Sequence, residues 1–245
     1  MKHIAICFYG LTRANVHCWN SIQKKILDAR INKNIHFSIF IHTWQKPAGE
    51  ASVQAIESSS KELVRKFLNF QLKNNFSKIQ KIEIHKQETH HPQIVDTSWG
   101  QVNRSNAINA HLSIGSVLDQ VCNTTPQIEG VLCIRTDAFF MKELDMTSCS
   151  ASFMHSGKRN NEKFEVEDLF FYIPYSALTP FLKMRDEVQD HGYWERNIYN
   201  FLLHTAAKAQ LKIESFNITY CDGVSIWRPG WRWRLSWLKQ MFFLR

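Results

Sequence analysis

The chain has 245 residues, of which 44% are hydrophobic and 21% charged, and its formal net charge at pH 7 is +8. These values exclude a disordered or fibrous chain and predict one globular domain with a substantial core. No run of about 18 apolar residues is present to span a bilayer, and the apolar run at the start is too short for a secretory signal, so we expect a cytoplasmic protein. The excess of positive charge predicts an acidic partner.

Strands and helices alternate along the first half of the chain. The apolar pattern predicts a strand at 2–8, a helix at 14–30, a strand at 36–42, a helix at 53–72, a strand at 79–85, a polar mobile loop at 88–100, a helix at 103–121 and a strand ending at Asp137. Farther along, it predicts a short strand at 152–155, a charged loop at 157–163, an apolar stretch at 164–173, helices at 175–188 and 195–210, and a strand at 213–220. This order predicts an α/β fold with a mainly parallel sheet covered by helices on both faces.

The cysteines and histidines do not form a recognised metal-binding pattern. Six cysteines are scattered along the chain without a Cys-x-x-Cys pair, at positions Cys7, Cys18, Cys122, Cys133, Cys149 and Cys221. This spacing favours reduced, mostly buried thiols over a disulfide framework or a zinc site. His85, His90 and His91 also lack a carboxylate or cysteine at zinc-site spacing, so a metal site there is the less favoured interpretation.

The segment from Val131 to Phe140 combines an apolar strand with charged residues at its end. Its β-branched and apolar residues do not alternate with polar ones, which is typical of a parallel strand covered on both faces. Ligands of such sheets bind at the carboxyl ends of the strands, where Asp137 could hold a metal ion bound to a phosphorylated substrate. The alternative is an ordinary strand end with a solvated Arg135 and Asp137.

The ends of the first two strands carry further candidate residues. Gly10 can form a tight turn, Thr12 can cap the next helix, whose free N–H groups favour an anion, and Arg13 can bind a phosphate or carboxylate. The alternative is an ordinary strand-to-helix connection. His42 either lines the ligand pocket expected at these strand ends or bonds to backbone. Trp44 either stacks on a base or sugar or is an aromatic side chain beneath a loop.

Two adjacent acids precede the apolar run at 169–173. Glu167 and Asp168 could supply the base that removes a proton from an acceptor hydroxyl. Neighbours along a strand point to opposite faces, so only one of them is expected to enter the site. We prefer Asp168, with Glu167 as the alternate. In the other interpretation this acid pairs with Arg159 or Lys163.

The order of these motifs resembles a known group of enzymes. The segments CFYGLTR, IFIHTW, a helix beginning near 103–104, CIRTDAFF and EDLFFY are similar to those of small bacterial and viral glycosyltransferases of the GT-A type, often found with surface-polysaccharide synthesis such as that of lipopolysaccharide or capsule. The likeness runs from residue 1 to about 225. It implies a Rossmann-like GT-A domain that transfers a sugar from a nucleotide-sugar donor.

The resemblance also implies roles for individual residues. The first strand and its turn would cradle the nucleotide, with His42 in the same donor pocket, and Arg104 would contact the nucleotide or a phosphate unless it is a plain surface residue. In this group a DxD motif grips the pyrophosphate through a divalent cation, Mn²⁺ or Mg²⁺. The matching position here reads Arg-Thr-Asp. Either Asp137 holds the cation alone with phosphates, or Arg135 neutralises the diphosphate directly.

The segment at 227–245 differs in composition from the domain at 1–226. It holds five basic residues, no acidic ones and four tryptophans. Tryptophan favours the membrane interface and basic side chains favour anionic lipid, so we expect this tail to anchor the protein to a membrane surface. A tail packed on its own domain is the second interpretation. Nucleic acid is the third, because no nucleic-acid module appears elsewhere.

These observations predict a cytoplasmic glycosyltransferase, peripheral on the inner face of the membrane, that acts on a glycan or lipid-linked glycan. Two rivals come from other classes. One is a non-catalytic module of the same fold that binds a nucleotide or an anionic glycan. The other is a basic membrane-associated adaptor, whose function would depend on the tail rather than on Asp137.

Overall fold

The computed structural model describes residues 1–10, 16–45, 79–86, 94–97, 100–124, 127–158, 169–183, 186, 198–219 and 224–226. The strands are β1 (Lys2–Tyr9), β2 (Ile35–Gln45), β3 (Ile79–Lys86), β4 (Ile94–Thr97), β5 (Gly100–Asn103), β6 (Gly130–Arg135), β7 (Ala138–Phe140), β8 (Phe153–Lys158), β9 (Phe170–Pro174), β10 (Lys212–Thr219) and β11 (Val224–Ile226). The α-helices are α1 (Val16–Ile22), α2 (Arg104–Cys122), α3 (Leu178–Leu182) and α4 (Ile198–Lys208), and shorter helical turns are Gln23–Leu27, Arg30–Asn32 and Tyr175–Ala177.

Seven strands form one sheet in the order β10-β8-β9-β6-β1-β2-β3. β1 is parallel to both β2 and β6, β2 is parallel to β3, and β8 is parallel to β10. β9 runs antiparallel to its two neighbours, β6 and β8. The predicted mainly parallel sheet is therefore confirmed, with one reversed strand inside it.

The core lies on both faces of this sheet. Successive residues of β1 belong to two different hydrophobic clusters, Ile4, Ile6 and Phe8 to one and Ala5, Cys7 and Tyr9 to the other. The first cluster includes Trp19 and Ile22 of α1, and the second includes apolar residues of α2 and α4. Because helices cover both faces, the buried parts of β1 and β6 carry apolar side chains at successive positions, which explains their lack of alternation.

Most predicted elements are confirmed with small shifts at their ends, but two predicted loops are wrong in part. In the mobile loop predicted at 88–100, β4 pairs antiparallel with β5, with Val95 opposite Val102. The polar composition indicated a loop, yet Ile94, Val95 and Val102 are β-branched residues that favour strands. The charged loop predicted at 157–163 begins too early, because β8 continues to Lys158 alongside β10. The helix predicted at 53–72 lies outside the described residues.

Five of the six cysteines lie among the described residues, and all five are free thiols. Cys7, Cys18, Cys133 and Cys149 are buried, and Cys122 is half-buried.

None of the described helices combines the length and hydropathy needed to cross a membrane.

Candidate functional site

The carboxyl ends of β1 and β6 meet at the point where the strand order of the sheet reverses. From β1 the chain continues to β2 and β3 on one side, and it returns to β6 on the other side of β1. Tyr9 lies opposite Arg135 in the register, and the Tyr9 carbonyl accepts the N–H of Thr136 at 3.2 Å. Open parallel sheets bind ligands at such a switch point. The structure therefore brings the predicted Gly10 turn and the Arg135-Thr136-Asp137 motif to the same edge of the sheet.

Gly10 turns the chain away from β1 in a backbone conformation with φ of 92°. Side chains with a Cβ rarely adopt this conformation, so the turn favours glycine. The Gly10 N–H donates to Ser113 Oγ of α2 at 2.9 Å, which holds the turn in place. No described atom lies within 4 Å of where a Cβ would stand. The backbone of this turn is thus fixed at one side, and no described side chain covers it where a Cβ would stand.

Arg135 and Asp137 form a two-pronged ion pair at the end of β6. Arg135 Nε donates to Asp137 Oδ1 at 3.0 Å, and Arg135 Nη2 donates to Asp137 Oδ2 at 2.9 Å. The side chain of Asp137 is 3% exposed, whereas that of Arg135 is 23% exposed. The carboxylate is therefore the buried member of the pair, and the guanidinium lies nearer to solvent. This bidentate geometry fixes the plane of the arginine.

His42 belongs to a hydrogen-bonded chain that begins at the Gly10 turn. His42 Nδ1 lies 2.8 Å from Ser113 Oγ, and His42 Nε2 lies 3.0 Å from Nδ1 of His85 on β3. These three side-chain contacts are compatible when the Ser113 hydroxyl accepts from Gly10 and donates to His42 Nδ1, and His42 Nε2–H donates to His85. His42 therefore connects β2, β3 and α2 behind the turn.

The low pKa of His42 makes it a poor base at neutral pH. Burial, followed by the charge of His85, lowers the pKa of His42 to about 3. A histidine with so low a pKa stays neutral and is a weak proton acceptor at pH 7. Its observed partners are the Ser113 hydroxyl and His85 rather than the backbone bond that was the alternative prediction.

Trp44 covers the core at the end of β2. Its ring is buried, and its Nε1–H donates to the carbonyl of Asn109 on α2 at 3.1 Å. The ring also meets the edge of His42, with 4.8 Å between centroids. These contacts pack the ring against α2 and His42, while the loop that was predicted to cover Trp44 lies outside the described residues.

Several predicted site residues cannot be placed by the structure. Thr12, Arg13, Glu167, Asp168 and the tail at 227–245 lie outside the described residues. Arg104 is the first residue of α2, where the structure describes its backbone alone. Leu169, which follows Asp168 in the sequence, accepts the N–H of Arg135 at 2.8 Å.

Sequence reasoning did not identify Ser113 as a site residue. Ser113 is one of several polar residues on a helix that was predicted correctly, and nothing in its neighbours Leu112 and Ile114 distinguishes it. Its role depends on the packing of α2 against the ends of β1 and β2. His85 was noted, but only as a weak metal ligand, whereas the structure shows it bonded to His42.

The described residues do not provide the donor set of a divalent-cation site. No three His, Cys, Asp or Glu side chains lie close enough to share one ion in the described part of the chain. Both oxygens of Asp137 accept hydrogen bonds from Arg135. A guanidinium at this distance repels a second cation. Asp137 thus fits an arginine partner better than a metal ion.

Comparison with known proteins identifies no family for this chain. No protein-family model matches it, and no curated protein matches it. Among solved structures, it is similar to the galactosyltransferase LgtC, solved in complex with donor and acceptor sugar analogues, at 10% identity and a TM-score of 0.43, over 86% of this chain and 72% of that one. It is also similar to TarS of S. aureus at 12% identity and a TM-score of 0.46, over 92% of this chain and 36% of TarS. At these TM-scores neither likeness supports a function, so function is inferred from the chain's own geometry.

Proposed function

We propose that the chain is a glycosyltransferase that transfers a sugar from a nucleotide-sugar donor to a glycan or lipid-linked glycan. The observation that carries this proposal is the oriented cation at the switch point of the sheet. Arg135 is held there by Asp137, beside the Gly10 turn. Sugar transfer releases a nucleoside diphosphate, and a preorganised cation stabilises the charge that develops on such a leaving group.

The proposed donor site extends from this cation along the ends of β1 and β2. Gly10 allows a phosphate to approach the backbone, because none of the described side chains stands within 4 Å of where its Cβ would be. Ser113 and His42 hold the turn and act as positioning residues. Thr12, Arg13 and Arg104 are our proposed further contacts to the nucleotide or its phosphates, on the strength of the sequence.

The proposed reaction is a displacement at the anomeric carbon of the donor. The acceptor hydroxyl oxygen forms a bond to this carbon while the bond to the diphosphate breaks, and the diphosphate leaves with the electron pair. Asp168 takes the proton of the hydroxyl as general base, with Glu167 as the alternate. His42 is unsuited to this role, since its pKa is lowered to about 3.

We also propose that the tail at 227–245 holds the protein on an anionic membrane surface at its cytoplasmic face. Five basic residues and four tryptophans in this segment support the proposal. A lipid-linked acceptor would lie at the same surface, so the tail would bring the enzyme to its substrate.

The proposal is tested by ligand-induced thermal stabilisation followed by a transfer assay. UDP-, GDP- and dTDP-sugars are each added with Mn²⁺ or with EDTA, because a ligand that binds only the folded state raises Tm. We expect one nucleotide to raise Tm. Asp168→Asn should keep this shift and lose transfer, whereas the control Asp28→Asn, at an exposed position, should keep both.

The outcomes separate the proposed enzyme from its rivals. Binding of a nucleotide by the wild-type chain without transfer to any glycan tested would indicate a non-catalytic binding module. No shift with any nucleotide would refute the donor site. In that case removal of 227–245 should abolish function and substitutions at Asp137 should have little effect, as expected of an adaptor.

A further inference from the structure

We propose that Arg135 takes the place of a divalent cation in this chain, so that the donor diphosphate binds without metal. The inference rests on the proposed function and concerns the chemistry of the same site. It starts from the position where the resembling enzymes carry two acids, which here reads Arg135-Thr136-Asp137. Sequence alone left two solutions open at this position, a metal ion on Asp137 or direct neutralisation by Arg135.

The contacts of Asp137 favour direct neutralisation of the diphosphate by Arg135. Each carboxylate oxygen accepts one N–H of the same guanidinium, at 3.0 and 2.9 Å. The negative charge of Asp137 is therefore balanced by a partner within the chain. A divalent ion on these oxygens would stand next to the guanidinium and would be repelled by it. In the described part of the chain, no other group of acids, histidines or cysteines completes a metal site.

The burial of the pair determines which charge a ligand meets. The Asp137 side chain is 3% exposed and the Arg135 side chain is 23% exposed, so a phosphate entering from solvent meets the guanidinium first. The carboxylate fixes the guanidinium plane through Nε and Nη2. A cation held in this way loses little side-chain entropy when an anion binds. Asp137 is thus a positioning residue for Arg135.

Two measurements on the full chain test this inference. Calorimetric titration with UDP, GDP and dTDP is carried out in EDTA and in Mn²⁺, and free Mn²⁺ is followed by its electron paramagnetic resonance signal. We expect one nucleotide to bind with the same Kd in both conditions, within about threefold, and no Mn²⁺ to be taken up with it. Binding that requires Mn²⁺ would overturn the inference and leave the proposed function intact. No binding in either condition would overturn both.

Variants of the ion pair test whether the Arg135 guanidinium is the cation that binds the nucleotide. Arg135→Gln alone would leave a buried carboxylate unpaired and could fail to fold, so the double variant Arg135→Gln/Asp137→Asn removes both charges together. We expect this variant to bind the nucleotide about 10- to 100-fold more weakly, and Asp137→Asn to bind with a smaller loss, because its cation remains. The exposed Arg30→Gln is the matched control and should bind like wild type. Equal losses in Asp137→Asn and the double variant would assign the effect to the carboxylate and overturn the inference.

Discussion

The buried imidazole of His42 predicts a specific loss of stability in mild acid. In the folded chain, burial and the charge of His85 lower the pKa of His42 from 6.5 to about 3. Between these two values the unfolded chain binds a proton at His42 that the folded chain cannot bind. The contribution of His42 to the free energy of unfolding is therefore fully present above pH 6.5, and it is lost as the pH falls toward 3.

The size of this effect can be worked out for two accessible pH values. At pH 5 the folded state keeps His42 neutral, so the loss is set by protonation of the unfolded chain. With a pKa of 6.5 for His42 in the unfolded chain, lowering the pH from 7 to 5 reduces the free energy of unfolding by about 2 kcal/mol. His42 has no exposed surface, so solvent screening does not reduce this figure.

Urea unfolding of wild type, His42→Gln and His85→Gln at pH 7 and pH 5 checks this prediction. Between pH 7 and pH 5, the free energy of unfolding of wild type should fall by about 2 kcal/mol more than that of His42→Gln, because both proteins contain every other titrating group. His85→Gln is the matched control and should keep most of the pH dependence, since burial is the larger cause of the low pKa of His42. Equal losses in wild type and His42→Gln would refute the reasoning.

Two further predictions concern the core. Gly130→Ala should destabilise the fold by about 1–3 kcal/mol in urea unfolding, because the new Cβ would collide with the phenol end of the buried Tyr172; an unchanged midpoint would contradict this. Burial raises the pKa of the Cys149 thiol to about 12, so at pH 8 iodoacetamide should label Cys149 about 1,000-fold more slowly in the folded chain than in urea, as followed by peptide mass spectrometry. Comparable rates in the two states would show that this thiol is accessible.

The secondary structure was predictable where the pattern had a single physical explanation. The apolar residues of β1 and β6 do not alternate, and a strand of this kind must be covered on both faces. Helix α2 was predictable for a similar reason, since Val117, Leu118 and Val121 recur at helical spacing and need a sheet to pack against. The β4–β5 pair was missed because its polar residues outweighed a few β-branched ones in the pattern.

The sequence by itself determined that charged residues follow buried strands, and hence that Gly10, His42, Arg135 and Asp137 lie at one edge of a sheet. Only the tertiary structure decided how they are joined. Ser113 reaches the Gly10 turn because α2 packs across β1 and β2, and no local pattern encodes this contact. The pairing of Asp137 with Arg135 likewise depends on burial, because a carboxylate removed from water needs its opposite charge nearby, and packing determines which partner can reach it.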